Sequence, residues 1–232
     1  MGYHIRTYDL EPHAVTEAER RLADACAAGI ASGSLAASFH TEIGPLNQVI
    51  QIWTDALPAA AADAAIEDLV VERQSDEFVP FAISPRIVPA SVGPFFEVRR
   101  YSYAAGDLPN IVAAWEAALP TRLALGPLVL VASSETDSVN ELLHIWPYRT
   151  LDDRSQLRTT VRETGLWPPH AAAQTLGLEP FEFIRMENKI VMPAAFLPLT
   201  EGRGVPRPTL VRRRSRGRSS AAPSRCSTRS IP

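Results

Sequence analysis

A chain of 232 residues, 46% of them hydrophobic and with a formal net charge of −3, has room for one large domain or two small ones. No apolar run approaches the roughly 18 residues that span a bilayer as a helix. The first residues carry His4 and Arg6 in a strand-like pattern, so neither a transmembrane segment nor a secretory leader is expected.

The two cysteines, Cys26 and Cys226, make no disulfide framework, and a reducing cytoplasm is the expected setting. Residues 1–202 hold 14 Lys and Arg against 26 Asp and Glu, whereas residues 203–232 hold nine Arg and no acid. The acidic body should repel nucleic acid. Contact with nucleic acid or an anionic membrane is expected only through the tail, at Arg212–Arg214, Arg216 and Arg218. That tail is rich in Gly, Pro, Ser and Arg and is expected to be disordered; a merely solvated tail is the simpler reading.

In chain order, residues 3–10 alternate as a strand and Pro12 suits a first helical turn. Residues 13–28 form a helix with Val15, Ala18, Leu22, Ala25 and Cys26 on one face, closed by Gly29 and Gly33. Residues 34–42 and 47–54 read as strands around a turn at Gly44–Pro45. A second helix is expected over 58–73, a loop or an irregular short helix over 74–82 and a short edge strand within 83–89, limited by Pro85. The series then repeats: a strand at 95–103, a helix from Asp107 to about Ala124, strands at 128–135 and 140–147, a helix at 151–163, and a last strand from Phe183 to Met192. An insertion at Gly165–Pro180, with Trp167, Pro168, Pro169 and His170, is expected to act as a lid or an external brace.

The two series are copies. Asn47–Trp53 returns 93 residues later as Asn140–Trp146, Tyr3–Tyr8 returns as Phe96–Tyr101, and Glu42 and Glu135 keep the same shift. The expected fold class is α+β: tandem ferredoxin-like βαββαβ repeats, residues 1–92 and 93–202, packed sheet to sheet as an intramolecular dimeric α/β barrel. Alternation assigns Ile5, Ile50 and Ile52, with Val98, Leu143 and Ile145, to the helix side. The faces left for the space between the sheets carry Arg6, Tyr8, Asn47 and Trp53 in one copy and Glu97, Arg99, Tyr101, Asn140, His144 and Trp146 in the other. That mixed lining suits a small organic ligand.

Glu97–Val98–Arg99–Arg100–Tyr101, Thr41 through Asn47, and Asn140 through Trp146 resemble motifs of the NIPSNAP family, within the dimeric α/β-barrel superfamily. Arg6, Tyr8 and Trp53 extend the resemblance into the first copy, and it covers about residues 1–198. It implies paired ferredoxin-like domains and members linked to vesicular or mitochondrial functions, with no general catalytic mechanism. The wider superfamily includes monooxygenases and haem-binding proteins. The first copy departs from the pattern, with His4 where Glu is expected and Gln51 where His is expected, so a site belongs to the second copy.

There, Glu97 could hold His144 as a general base while Arg99 stabilises an anion and Tyr101 donates a hydrogen bond. Arg6, Tyr8, Asn47, Trp53, Asn140 and Trp146 are the candidate ligand contacts. A satisfied polar network with Arg99 paired to Glu97 would account for the same residues, and Trp53 and Trp146 read more readily as core aromatics than as walls of a site. No cofactor or metal is expected: the five histidines have no zinc spacing, no glycine loop cradles phosphate, and no haem signature accompanies His144. Three function classes stay open: a small-molecule-binding protein, a cofactor-independent oxygenase or isomerase using His144 and Glu97, and a noncatalytic interaction scaffold. Two chains could also pair as a homodimer through exposed strand edges or outer helices.

Overall fold

The computed structural model describes residues 2–54, 59–87, 93–134 and 140–197. The expected helix start at Pro58, the repeated acid Glu135 and the basic tail 203–232 lie outside the described residues. The elements run β1 (Tyr3–Leu10), α1 (Val15–Ala25), α2 (Ala27–Ser32), β2 (Leu35–Ile43), β3 (Gln48–Trp53), α3 (Ala59–Ala65) and β4 (Val70–Pro80). They continue as β5 (Phe95–Tyr103), α4 (Leu108–Leu123), β6 (Leu130–Ser134), β7 (Glu141–Tyr148), α5 (Leu151–Glu163), α6 (Pro169–Leu176) and β8 (Phe183–Pro193). No helix among the described residues is long and apolar enough to cross a membrane.

The eight strands close into one antiparallel barrel in the order β1, β3, β2, β8, β5, β7, β6, β4, with β4 returning to β1. The first half supplies the neighbours β4-β1-β3-β2 and the second supplies β8-β5-β7-β6. The halves join along two seams. β2 meets β8 from Phe39↔Pro193 to Ile43↔Ile190, and β4 meets β6 at Val79↔Ser133 and Pro80↔Ala132. Each sheet edge is therefore paired, which removes the unpaired donors and acceptors that an open sheet presents.

The helices follow from their sequences. In α4 the buried residues are Ile111, Ala114, Trp115, Ala118, Leu119 and Arg122, a helical stripe that lies on the sheet. The single helix expected over 13–28 is instead two, α1 and α2, meeting at Cys26, and α2 ends on Gly33 at φ 74°. Glycine takes that left-handed conformation without a Cβ penalty.

The second helix, expected over 58–73, ends at Ala65, and strand begins at Val70. The last strand of the first half is Val70–Pro80, not 83–89, and the stretch 74–82 expected as loop or irregular helix is mostly strand. Most side chains of β4 are exposed, so it lacks a hydrophobic alternation. Its ladder with β1, from Tyr3↔Phe78 to Leu10↔Val70, holds it in place.

The faces of the sheets also differ from expectation. The barrel interior is lined by Ile5, Phe39, Ile50, Ile52 and Phe78 from the first half with Phe96, Val98, Leu143, Ile145 and Val191 from the second. The residues assigned to the helix side thus face the opposite sheet. Tyr8, Val49 and Trp53 instead pack with Ala18 and Leu22 of α1, and Tyr101, Leu142 and Trp146 pack with Ile111 and Trp115 of α4. All six residues of β3 are buried, and all but the first of β7. Both faces of these strands are covered, so alternation carries no inside–outside signal. Polar residues can lie under the helices because the helices bring partners to them.

Trp53 lies directly beneath α2. A Cβ placed on Gly29 would come within 2.6 Å of its ring. Gly29→Ala should therefore destabilise the protein by about 1–3 kcal/mol through overpacking, against the ~1 kcal/mol that alanine favours in a helix. Urea denaturation reads the difference; a variant as stable as the parent would show that the contact relaxes freely.

Candidate ligand site

Five of the six sequence-selected residues of the second half, all but Asn140, converge, but beneath helices α4–α6 rather than between the sheets. Alternation along β5 and β7 turns Glu97, Arg99, Tyr101, His144 and Trp146 outward, and together they line a cavity of about 260 Å³. Trp115 and Arg122 of α4 form one wall, and Leu157, Arg158, Val161 and Arg162 of α5 form another. The insertion contributes Trp167–His170 as a cover, with Trp167 edge-on to Trp115 and Trp146 at ring separations of 5.2 and 5.5 Å.

Glu97 is the electrostatic centre, with 1% of its surface exposed. Its Oε1 accepts from Arg154 Nη2 at 2.6 Å, Asn188 Nδ2 at 3.0 Å and Arg158 Nη1 at 3.2 Å. Arg99 Nε lies 3.8 Å away, and Tyr148 donates a long bond of 3.4 Å to Oε2. Burial alone would raise the carboxyl's pKa, but Arg154, with Arg99 and Arg158, holds it below the ordinary carboxylate range.

His144 belongs to a different bond. Trp146 Nε1 donates to its Nδ1 at 2.6 Å. An indole N–H can only donate, so Nδ1 is the acceptor and the neutral ring carries its proton on Nε2. Burial, reinforced by Arg99, Arg122 and Arg158, pushes the imidazole well below its ordinary pKa and keeps it neutral. Nε2 is itself buried with no hydrogen-bond partner among the described residues. The expected Glu97–His144 pair does not form, because in the strand register Glu97 lies opposite Trp146 and His144 lies opposite Arg99. Neither group is placed as the general base of such a pair.

Tyr101 meets the His144 ring edge-on at 5.0 Å, and the Arg99 guanidinium lies 5.2 Å from the Tyr101 ring centre. Burial pushes the Tyr101 hydroxyl above its ordinary pKa. Arg122 is 3% exposed, stacks 4.0 Å over Trp146, and donates to the Gly126 carbonyl at 3.1 Å. Among the described residues, four arginines therefore line the cavity and Glu97 is its one carboxylate.

The first-half candidates do not join this cavity. Asp63 of α3 accepts from Tyr8 Oη at 2.9 Å and pairs with Arg6 at 3.6 Å and Arg73 at 3.4 Å. Trp53 Nε1 donates to Gln51 Oε1 at 3.2 Å, the counterpart of the Trp146–His144 bond. Asn47 and Asn140 are turn residues rather than ligand contacts. Their φ angles are 58° and 61°, and their carbonyls accept from Leu10 N at 2.8 Å and Tyr103 N at 2.9 Å.

Sequence reasoning missed Trp115, Arg122, Tyr148, Asn188 and the arginines of α5. The last had a legible signal: Arg154, Arg158 and Arg162 recur at i, i+4 and i+8, one stripe of an otherwise polar helix.

The family model described as NIPSNAP matches residues 3–85 and 96–198. A NipSnap homolog from Dictyostelium discoideum is 25% identical over 172 residues, covering 66% of this chain and 72% of that protein. Among solved structures, a NIPSNAP family protein of unknown function from Agrobacterium tumefaciens is 31% identical over 47% of this chain and 95% of its own, at a TM-score of 0.39. A protein named as a monooxygenase from Lactobacillus acidophilus has a TM-score of 0.59 at 13% identity, covering 83% of this chain and 93% of its own, a likeness of fold alone. With the family model matched on both sides of the β4–β5 connection, over most of its length, the chain belongs to the NIPSNAP family.

Proposed function

We propose that this NIPSNAP protein binds a small organic anion with an apolar body, and that the site lies between the sheet and helices α4–α6 of its second half. The reading includes a duplication into ferredoxin-like halves, 1–92 and 93–202, of which the first has become structural. The observation that carries it is the buried His144 Nε2–H, a donor without a partner among the described residues, on a side chain that lines the cavity. An unsatisfied buried donor costs about 1–3 kcal/mol, which an incoming acceptor recovers. The guanidinium groups of Arg99, Arg122, Arg158 and Arg162 favour that acceptor being charged, and Trp115, Trp146 and Trp167 favour a flat apolar remainder.

The same chemistry supports binding over proton abstraction. His144 is committed as a donor at Nε2 by the Trp146 bond, and Glu97 is held ionised by its cations, which weakens it as a base. A scaffold without a cavity would have Tyr101 and Trp146 filling the space that they instead line.

Native mass spectrometry of protein purified from its host should carry a bound anion, and calorimetry with phenylacetate as probe gives the affinity. His144→Gln keeps an acceptor for Trp146, as Gln51 does for Trp53, but moves the donor. It should weaken phenylacetate by about tenfold, the value of one charge-assisted hydrogen bond. Binding unchanged in that variant would remove His144 from the site.

The neutral imidazole also sets a pH dependence. Its folded pKa is depressed, so below the unfolded value of about 6.5 the unfolded chain gains a proton that the native chain refuses. This contribution to stability is complete above that pH and is lost as pH falls, by at most about 1.4 kcal/mol per pH unit. Urea midpoints between pH 7 and pH 5 should fall less steeply for His144→Gln than for the parent; parallel profiles would mean that His144 protonates freely in the fold.

A further inference from the structure

The barrel interior is a second space, on the opposite face of the sheets from the site above. It forms a cavity of about 370 Å³. Ile5, Phe39, Ile50, Val98, Leu143 and Ile145 make its apolar walls, and Thr7, Gln48, Gln74, Arg100 and Lys189 make its polar end. Lys189 is the one lysine in a chain with 22 arginines. Alternation along β8 turns it inward with Val191, while the Asn188 amide donates to Glu97 Oε1 at 3.0 Å.

Its surroundings are built. Lys189 Nζ donates to Gln48 Oε1, and Gln48 Nε2 donates to Asp9 Oδ1 at 2.7 Å. Arg100 on β5 pairs with Asp76 on β4 and Glu141 on β7, at the same end of the barrel. Burial and then Arg100 lower the ammonium pKa to about 8, against the opposing pull of Asp9 on β1 and Glu187 on β8. Arginine at this position would stay protonated and present no lone pair, whereas lysine can present one.

We propose that Lys189 is a covalent capture site for apolar aldehydes, held as an imine inside the barrel. The neutral amine's lone pair forms a C–N bond to the carbonyl carbon, and the carbonyl π pair moves to oxygen. The two amine hydrogens leave with that oxygen as water, giving C=N. One aldehyde enters and one water leaves, with no change of oxidation state, and hydrolysis reverses the step. The aliphatic tail occupies the walls of Ile5, Ile50, Val98 and Leu143.

Sodium cyanoborohydride, as an added reductant, traps the imine as a secondary amine. The full chain is treated with octanal and this reductant at pH 8, then read by intact mass and peptide mapping. The α-amino group is an internal reference of matched basicity, because its ordinary pKa is about 7.7–8.0. One octyl group should appear at Lys189 ahead of the α-amino group. Labelling there should be about tenfold faster than with propanal, since the extra methylenes are buried. Octanol should slow labelling of Lys189 and leave the α-amino group unaffected. Lys189→Arg should lose the internal label and keep the terminal one. Labelling of Lys189 no faster than of the α-amino group, equal rates with octanal and propanal, or no effect of octanol would each overturn the proposal.

Discussion

Closure of the barrel is the constraint from which the rest follows. Once β2 pairs with β8 and β4 with β6, the two four-stranded sheets have no free edges, and one face of every strand is committed to a shared interior. That interior is satisfied by branched aliphatic and phenylalanine side chains contributed by both halves. Everything charged or aromatic on the opposite face must then be accommodated by helices. The helices do so with complementary groups: Asp63 on α3, and Arg154 and Arg158 along α5.

The two halves answer that demand differently. In the first, Asp63 occupies Arg6, Tyr8 and Arg73 together, and α2 presses on Trp53 through Gly29. In the second, the acid is on the strand and the cations are on the helix, and cations outnumber the acid around the cavity. The shared Trp-to-residue-minus-two hydrogen bond ends on a glutamine amide in one half and an imidazole in the other. Gln51 donates an amide N–H to Cys26 Sγ at 3.4 Å, whereas His144 keeps its single N–H without a partner among the described residues. Similar sequences thus give one packed half and one half with room for a ligand.

Much of this was legible in the chain. The matching spacings of Asn47 and Asn140 located the central strands, and α5 and β5 have the bounds read from sequence. Five of the six second-half candidates share one cavity, and Asn140 lies outside it at a turn. The side of the sheet was not legible, because strands buried on both faces show no alternation of burial, and a Trp or Tyr satisfies a helix interface as well as a sheet interface. The partner of His144 was missed for a related reason. Residues i and i+2 on one strand share a face, so Trp146 was as near as Glu97, and only coordinates distinguish them. β4 went unread because a mostly exposed strand is held by its ladder rather than by side-chain burial.

The account turns on the state of one ring. Long-range nitrogen–proton NMR of the imidazoles, recorded from pH 8 down to pH 5, separates five histidines by chemical shift and tautomer. His144 should remain neutral with its proton on Nε2 throughout, its Nδ1 retaining the shift of a hydrogen-bond acceptor. A His144 that titrates near the ordinary histidine value, or that carries its proton on Nδ1, would contradict both the bond to Trp146 and the ligand site built around it.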